Sequence, residues 1–308
     1  MKKVSIIGAG NVGATTALLV AQKELIDEII LVDVVEGLAE GKALDIAQLS
    51  PIEGFETKII GTSDYSQMAN SNLVVVTAGL ARKPGMDRLD LLYKNARIIK
   101  EITLNIVKYA PDSIIIMVTN PVDVMTYHAF KVSGFSPQRV LGQAGILDTA
   151  RFCYFISQEL KISPKNISSI ILGGHGDSMI PLPRWTLVNK IPITELMDEK
   201  TLDRLIERTR KGGGEIVTLL KTGSAFYAPA ASTVQMVESI IKDTKQILPC
   251  SVYLQGKYGV SDIYIGVPAR LGANGVEEII ELELNEDELT NFQTSAKIYK
   301  QGIAELYG

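Results

Sequence analysis

Short apolar runs rich in β-branched residues recur through the first half of the chain, and helical patterns separate them. Continuous apolar strands alternating with amphipathic segments are typical of a parallel sheet that helices cover on both faces. We therefore predict an α/β fold built on a doubly wound parallel sheet. The predicted strands are residues 4–7, 29–32, 58–60, 73–76, 114–118 and 140–141.

The second half shows a different pattern, with longer helices and shorter strands. It predicts strands at residues 167–172, 185–188, 255–258 and 263–266, and a charged C-terminal helix from about Glu286. We expect two domains, residues 1–145 and a mixed α/β domain of residues 146–308. Gly212, Gly213 and Gly214 interrupt a helical pattern, and because glycine is costly inside a helix they predict a break or hinge.

The composition limits the possible partners. A net charge of -4 provides no general affinity for nucleic acid or an anionic membrane. No apolar run approaches the roughly 20 residues that a membrane span requires. Two cysteines, Cys153 and Cys250, form no disulfide framework, so we expect packing roles for both and a cytoplasmic location.

The segment GAGNVG directly follows the first predicted strand and opens a helix. Its glycines, Gly8, Gly10 and Gly13, permit a tight turn and close approach of a pyrophosphate, while the helix N-terminus favours negative charge. Asp33 ends the second strand, about twenty positions further on, where an acid accepts hydrogen bonds from ribose hydroxyls and repels a 2′-phosphate. This combination predicts NAD rather than NADP; the alternative is a strand, turn and helix without a ligand.

The segment ARKPGMDR carries two arginines, Arg82 and Arg88, on either side of a Pro-Gly pair. Proline followed by glycine favours a turn, so these arginines are predicted to lie on a loop that can fold back.

One of the two histidines, His175, lies in GGHGDS after a predicted strand. Hydride transfer to a ketone needs a proton donor that titrates near neutrality, which favours His175 over a structural histidine. The other, His128, lies in a helical segment, where a structural or exposed role is expected. In GILDTAR, Asp148 and Arg151 are three residues apart, which fits either a salt bridge on a helix or two groups facing a pocket. Their spacing alone does not distinguish these possibilities.

Taken in order, GAGNVG, the strand ending at Asp33, ARKPGMDR, VTNPVD, GILDTAR and GGHGDS resemble the lactate/malate dehydrogenase superfamily over essentially the whole chain. The resemblance implies a Rossmann NAD-binding domain, a mixed α/β catalytic domain, and reversible hydride transfer between NAD and a 2-hydroxy acid. It implies no metal.

The same resemblance implies a role for each matching residue. His175 is the proton donor and acceptor, Asp148 its partner, and Arg151 the clamp on the substrate carboxylate. Arg88 polarises the carbonyl, and the loop closes over the substrate as a lid. The expected cofactor contacts are Gly8, Gly10, Asn11, Val12, Gly13, Asp33, Asn95, Val118, Thr119 and Asn120, of which Asn120 also contacts the substrate.

Arg82 bears on the choice of substrate. In the superfamily, an arginine at this position is typical of the malate branch and a glutamine of the lactate branch. A second carboxylate in a closed pocket requires a positive charge, and an unpaired buried arginine costs about 2–5 kcal/mol, so Arg82 favours malate and oxaloacetate.

The motifs resemble malate enzymes that are similar to lactate enzymes, which implies a homotetramer more often than a dimer. Such an enzyme serves the tricarboxylic acid cycle.

Two other interpretations fit part of the sequence. Residues 127–131 and 253–257 match the YxxxK pattern of short-chain dehydrogenases, but the glycine spacing differs and those enzymes need no arginine pair. A non-catalytic NAD-binding sensor is compatible with the fold. It has no use, however, for the set of His175, Asp148 and Arg151.

Overall fold

The computed structural model describes residues 2–80 and 88–308. The strands are β1 (Lys3–Ile7), β2 (Glu28–Val32), β3 (Lys58–Thr62), β4 (Leu73–Val76), β5 (Ile114–Met117), β6 (Val140–Gly142), β7 (Ile167–Ser168), β8 (Ile171–Leu172), β9 (Ile180–Pro181), β10 (Leu187–Val188), β11 (Ile191–Pro192), β12 (Gln246–Gln255), β13 (Ser261–Gly272) and β14 (Gly275–Ile279). The helices are α1 (Asn11–Gln22), α2 (Leu38–Ala47), α3 (Ser50–Glu53), α4 (Arg88–Tyr109), α5 (Val122–Ser133), α6 (Gly145–Leu160), α7 (Glu199–Leu220), α8 (Tyr227–Ile241) and α9 (Glu286–Tyr307).

The central sheet has the order β14-β13-β12-β6-β5-β4-β1-β2-β3. Its six strands from the first half are all parallel, as predicted, and β12, β13 and β14 extend the sheet antiparallel. The strand order reverses between β1 and β4, and ligands of such sheets bind outside the carboxyl ends at this point. The predicted doubly wound α/β fold is confirmed, and its crossover indicates where to look for a site.

The apolar core does not stop at the parallel strands. Side chains of β1, β2, β4 and β5 belong to the same buried cluster as those of β12 and β13. A smaller cluster, centred on Phe152 and Phe155, joins α6 to α7. The antiparallel strands are therefore packed as an extension of the same sheet.

The predicted strands of the second half were only partly right. Residues 167–172 form two separate strands, β7 and β8, in different small sheets, and the predicted strand at 185–188 shortens to β10. The strand at 255–258 was wrong: β12 ends at Gln255, and positive φ angles at Gly256 and Tyr258 turn the chain into β13. Most of β12 was missed; this strand contains Pro249, which faces Pro268 of β13.

The predicted break at the glycine triplet was also wrong, because α7 runs through Gly212, Gly213 and Gly214 without interruption. A Cβ on Gly212 would lie 3.2 Å from Cδ of Arg151, and one on Gly213 would lie 3.6 Å from its Nη2. Gly212 thus lets α7 pack closely over the arginine of α6, whereas a Cβ on Gly213 would make an ordinary contact. The C-terminal helix α9 begins at Glu286 as predicted, capped by Asn285.

In the part of the chain that the structure describes, none of the helices is both long enough and apolar enough to cross a membrane.

The contact between α2 and β3 leads to a stability prediction. A Cβ on Gly61 would lie 2.1 Å from the carbonyl oxygen of Ala39, so Gly61→Ala should force the helix away and lower the free energy of unfolding by about 1–3 kcal/mol. Gly41, exposed within α2, has no atom within 4 Å of such a Cβ, so Gly41→Ala should raise stability by about 0.5–1 kcal/mol. Urea denaturation at equal protein concentrations measures both. Equal midpoints for the two variants would contradict the close contact.

Candidate active site

The glycine-rich turn between β1 and α1 forms one end of the candidate site. Gly8 has a φ of 106°, and a Cβ there would lie 2.6 Å from the amide nitrogen of Ala78. A Cβ on Gly13 would lie 1.8 Å from the carbonyl oxygen of Gly8, which shows why α1 can approach the strand so closely. Gly10 differs, because a Cβ there meets nothing within 4 Å. It lies at the start of α1 and caps the helix with no side chain, so the open space faces the first backbone N–H groups.

Asp33 lies beside this turn at the end of β2. One carboxylate oxygen accepts the N–H of Ala9 at 2.7 Å and the other accepts the N–H of Val35 at 3.0 Å. Its position is thus fixed next to the glycines, as the sequence pattern requires for a ribose-binding acid. The glycine turn and the acid together fit the adenosine and pyrophosphate part of a dinucleotide.

A cavity of about 740 Å³ extends from this turn across the carboxyl ends of β4 and β5 to His175. It brings together residues that lie far apart in the sequence. The predicted site residues on its wall are Gly10, Asn11, Val12, Gly13, Val118, Thr119, Asn120, Arg151 and His175. Ser224 and Ala225, to which the sequence assigned no role, also line it.

His175 and Asp148 form a pair at the far end of the cavity, in which Asp148 is buried and the side chain of His175 is 14% exposed. Nδ1 of His175 lies 2.8 Å from Oδ2 of Asp148. Since a carboxylate only accepts, Nδ1 carries the proton and Nε2 is the nitrogen left for a substrate. Burial alone lowers the pKa of His175, but the charge and hydrogen bond of Asp148 outweigh it, and the pKa is raised overall. This is the environment of a general acid and base.

Arg151 shares the same carboxylate. Its Nη1 lies 3.3 Å from Oδ1 of Asp148, and its side chain is largely buried on the cavity wall. Both possibilities left open by the sequence are therefore realised: Asp148 and Arg151 pair along α6, and Asp148 also holds His175. The arrangement places a guanidinium fork beside a protonatable imidazole.

Asn95 lies behind the cavity rather than on its wall. It is buried, its Nδ2 donates to the carbonyl oxygens of Asn120 at 2.8 Å and Leu80 at 3.2 Å, and its Oδ1 accepts the N–H of Leu80. Thr119 adds a bond from its hydroxyl to the carbonyl oxygen of Ala78 at 2.7 Å. These contacts join the loops that follow β4 and β5, so Asn95 supports the wall that Asn120 forms.

The two predicted substrate arginines differ in position. Arg82 and the Pro-Gly turn lie outside the described residues. The prediction of a loop was wrong for Arg88, which begins α4; its side chain lies outside the described part of the chain.

Sequence reasoning missed Asp123, a buried acid in the first turn of α5. Its carboxylate accepts the backbone N–H of His175 at 2.9 Å and the hydroxyl of Ser251 at 2.6 Å. The available signal was an acid in the otherwise apolar start of a helix, within the VTNPVD motif. Its partners follow only from tertiary structure. Arg210 and Gln143, also missed, lie on the cavity wall.

The other histidine, the two cysteines and the tyrosines of the YxxxK matches have contacts typical of structural residues. His128 is buried, its Nε2 lies 3.0 Å from the carbonyl oxygen of Ala96, and its Nδ1 lies 2.8 Å from the hydroxyl of Tyr307. Burial raises the pKa of Cys153 to about 11 and that of Cys250 to about 12. The tyrosines of the two YxxxK matches, Tyr127 and Tyr253, bond to Asp262, and burial raises the pKa of each to about 12. Burial lowers the pKa of His128, and the pKa values of these cysteines and tyrosines lie well above neutral pH.

A larger cavity of about 1110 Å³ lies near the amino ends of the parallel strands. Its cations are already engaged, since Arg139 donates to the carbonyl oxygen of Pro111 and Lys245 pairs with Glu277. Neither histidine lines it. Size alone does not make it the site; the smaller cavity holds the chemically active groups.

Comparison with known proteins agrees with this geometry. The model of the lactate/malate dehydrogenase NAD binding domain matches residues 2–142, and that of the lactate/malate dehydrogenase alpha/beta C-terminal domain matches residues 146–307. The chain is 53% identical over 306 residues to the malate dehydrogenase of Methanosarcina mazei, covering 99% of both proteins.

Two solved structures are similar over nearly the whole chain. The malate dehydrogenase of Salinibacter ruber has a TM-score of 0.95 and 48% identity, covering 99% of this chain and 97% of that one. The lactate dehydrogenase of Cryptosporidium parvum, complexed with lactic acid and nicotinamide adenine dinucleotide, has a TM-score of 0.96 and 38% identity, covering 100% and 98%. This chain therefore belongs to the lactate/malate dehydrogenase family.

Proposed function

We propose that the protein catalyses the NAD-dependent, reversible oxidation of (S)-malate to oxaloacetate. The observation that carries the proposal is the pair of His175 and Asp148 beside Arg151, at the end of the cavity that begins at the glycine turn. The relatives at 52–57% identity that are malate dehydrogenases support the same activity.

NAD fits the first part of the cavity. Gly10 leaves open space before the free N–H groups of α1, and Asp33 is held beside the turn. When bound, NAD accepts a hydride from C2 of the hydroxy acid and returns it in the reverse reaction. We propose that Gly8, Gly13, Asn11 and Val12 shape the phosphate end, that Val118, Thr119 and Asn120 form the wall of the nicotinamide end, and that Asn95 supports it.

His175 transfers the proton that accompanies the hydride transfer. In malate oxidation, neutral Nε2 accepts the hydroxyl proton, and the imidazolium that forms is stabilised by Asp148. In oxaloacetate reduction the same nitrogen returns the proton to the carbonyl oxygen. Arg151 holds the carboxylate next to the reacting carbon in a bidentate fork, and Asn120, on the wall of the same cavity, contacts the substrate.

We assign the remaining charge recognition to Arg82 and Arg88. Arg88 stabilises the developing oxyanion, and Arg82 binds the second carboxylate that malate has and lactate lacks. This assignment rests on the sequence motif. It favours malate over the alternatives, which are lactate or another 2-hydroxy acid and, more remotely, a non-catalytic NAD sensor.

The wider setting is part of the same proposal. We infer a division into residues 1–145 and 146–308, which the two matched family models support, and a cytoplasmic role in the tricarboxylic acid cycle. We also infer association of identical chains, a tetramer rather than a dimer. The exposed apolar side chains of Ile52, Leu219 and Tyr227 are suited to burial between copies.

The substrate assignment is tested by assaying NADH oxidation with oxaloacetate and with pyruvate, and by repeating the oxaloacetate assay with NADPH. We expect rapid reduction of oxaloacetate with NADH and slow reduction with either replacement. Arg82→Gln should shift the ratio of kcat/KM toward pyruvate by about 100-fold or more, because the second carboxylate loses its charged partner. Lys83→Gln, which removes the charge of the next residue in the sequence, is the control. An unchanged ratio in Arg82→Gln would remove Arg82 from substrate selection.

His175→Asn tests the proton-transfer role. Asparagine cannot exchange a proton near neutral pH, so kcat should fall by about 100-fold or more. NADH binding, measured by fluorescence titration, should change little because the cofactor end of the cavity is intact. His128→Asn should retain turnover. Activity close to that of the unchanged protein in His175→Asn would show that another group carries the proton.

The raised pKa of His175 predicts the direction of the pH dependence. Oxaloacetate reduction needs the protonated imidazole, so its kcat/KM should fall as pH rises through that pKa; malate oxidation should rise over the same range. Asp148→Asn removes the main raising influence and should move both limbs to lower pH. Asp45→Asn, a change at an exposed acid on α2, should move neither. Coincident profiles for Asp148→Asn and the unchanged protein would argue against the pair.

A further inference from the structure

The segment that carries His175 has little secondary structure of its own. Gly173 and Gly176 have φ angles of 85° and 148°. A Cβ on Gly174 would lie 1.7 Å from the ring of Tyr299, so close packing requires the glycine. Glycines that permit this path also leave the backbone more freedom than any other residue would. The position of the imidazole must therefore be fixed by other parts of the protein.

Side chains from two helices hold the peptide groups of this segment. Asp123 of α5 accepts the backbone N–H of His175 at 2.9 Å. Tyr299 of α9 donates its hydroxyl to the carbonyl oxygen of His175 at 3.0 Å, and Ser295 accepts the N–H of Gly174 at 3.0 Å. The histidine is thus held at both peptide groups as well as at Nδ1.

Of the three side chains that bond to the backbone of this segment, Asp123 alone carries a carboxyl group. It is fully buried, and its second oxygen accepts the hydroxyl of Ser251 from β12 at 2.6 Å. A buried carboxylate is costly unless it is hydrogen-bonded, and here both oxygens are. Burial raises the pKa of Asp123 to about 6, while the bonds from Ser251 and His175 oppose that rise. At neutral pH its charge therefore persists close to the imidazole.

We propose that Asp123 is a positioning residue for the reaction, fixing the backbone of His175 through a carboxylate that Ser251 holds, and that its charge joins that of Asp148 in favouring the protonated imidazole. The proposal rests on the proposed function of His175. Asp148 acts on the ring and Asp123 on the main chain. An apolar residue at 123 would leave the N–H of His175 without this acceptor.

Several charged or titratable groups surround His175, and each affects the interpretation of a pH profile. Asp148 raises the pKa of His175, Arg151 lowers it and Asp123 raises it. Tyr299 contacts its carbonyl oxygen, and Arg210 and Asp177 line the same cavity. Only a substitution that keeps the hydrogen bonds can isolate the charge of Asp123.

Asp123→Asn is that substitution. Its amide oxygen can still accept the N–H of His175, and its NH₂ can donate to Ser251. We expect the titration midpoint of His175, followed by NMR with ¹³C-labelled histidine, to fall by about half a pH unit or more. The alkaline limb of the pH profile for oxaloacetate reduction should move to lower pH by the same amount. The chain has two histidines, so His128→Asn assigns the resonances.

Two further variants separate charge from positioning. Asp123→Ala removes the acceptor and should lower kcat by about 100-fold with little change in the KM for NADH, and Asp123→Asn should recover most of that loss. Ser251→Ala keeps the carboxylate and its bond to His175 but removes a bond that holds the pKa of Asp123 down, so the His175 midpoint should fall less than in Asp123→Asn. If Asp123→Ala does not fold, Asp123→Asn alone decides.

An unmoved His175 midpoint in Asp123→Asn overturns the proposal, as does a kcat for folded Asp123→Ala within about twofold of the original. If the proposed function itself is wrong, the protein without any substitution will not reduce oxaloacetate with NADH. The NMR titration would still measure the coupling between Asp123 and His175 in that case.

Discussion

The site depends on one buried carboxylate that two different groups share. Asp148 accepts from the ring of His175 and pairs with the guanidinium of Arg151, and water has almost no access to it. Without the carboxylate, a buried imidazolium and a largely buried arginine would repel each other at close range. With it, the imidazole is oriented, its protonated form is favoured, and the arginine is held on the wall of the cavity.

The sheet brings the two halves of the chemistry together. The reversal of strand order between β1 and β4 opens a crevice at the carboxyl ends, where the glycine turn and Asp33 lie. The antiparallel strands β12 and β13 continue the same sheet, and Gly173 bridges to Gly266 of β13. The histidine segment is thereby attached to the same framework that positions the dinucleotide.

Local patterns predicted the features that local physics controls. The six parallel strands were found within a residue or two of their ends, and GAGNVG with Asp33 identified the dinucleotide turn, because strand periodicity and turn geometry depend on nearby residues. Features that depend on distant partners were missed or misjudged. The glycines of α7 looked like a hinge because the arginine that Gly212 accommodates comes from α6. The buried amide of Asn95 joins two loops, and its partners could not be read from local sequence.

The sequence by itself determined the class of fold, and it predicted a turn suited to a dinucleotide and residue types suited to proton transfer. Alternating patterns and glycine positions are properties of short segments. Only the tertiary structure decided which acids meet His175, because Asp148 and Asp123 lie 27 and 52 residues away along the chain and reach it from different helices. Spacing could not choose between a helix salt bridge and a pocket for Asp148 and Arg151. In the folded protein Asp148 pairs both with Arg151 and with His175, because its two oxygens contact different partners.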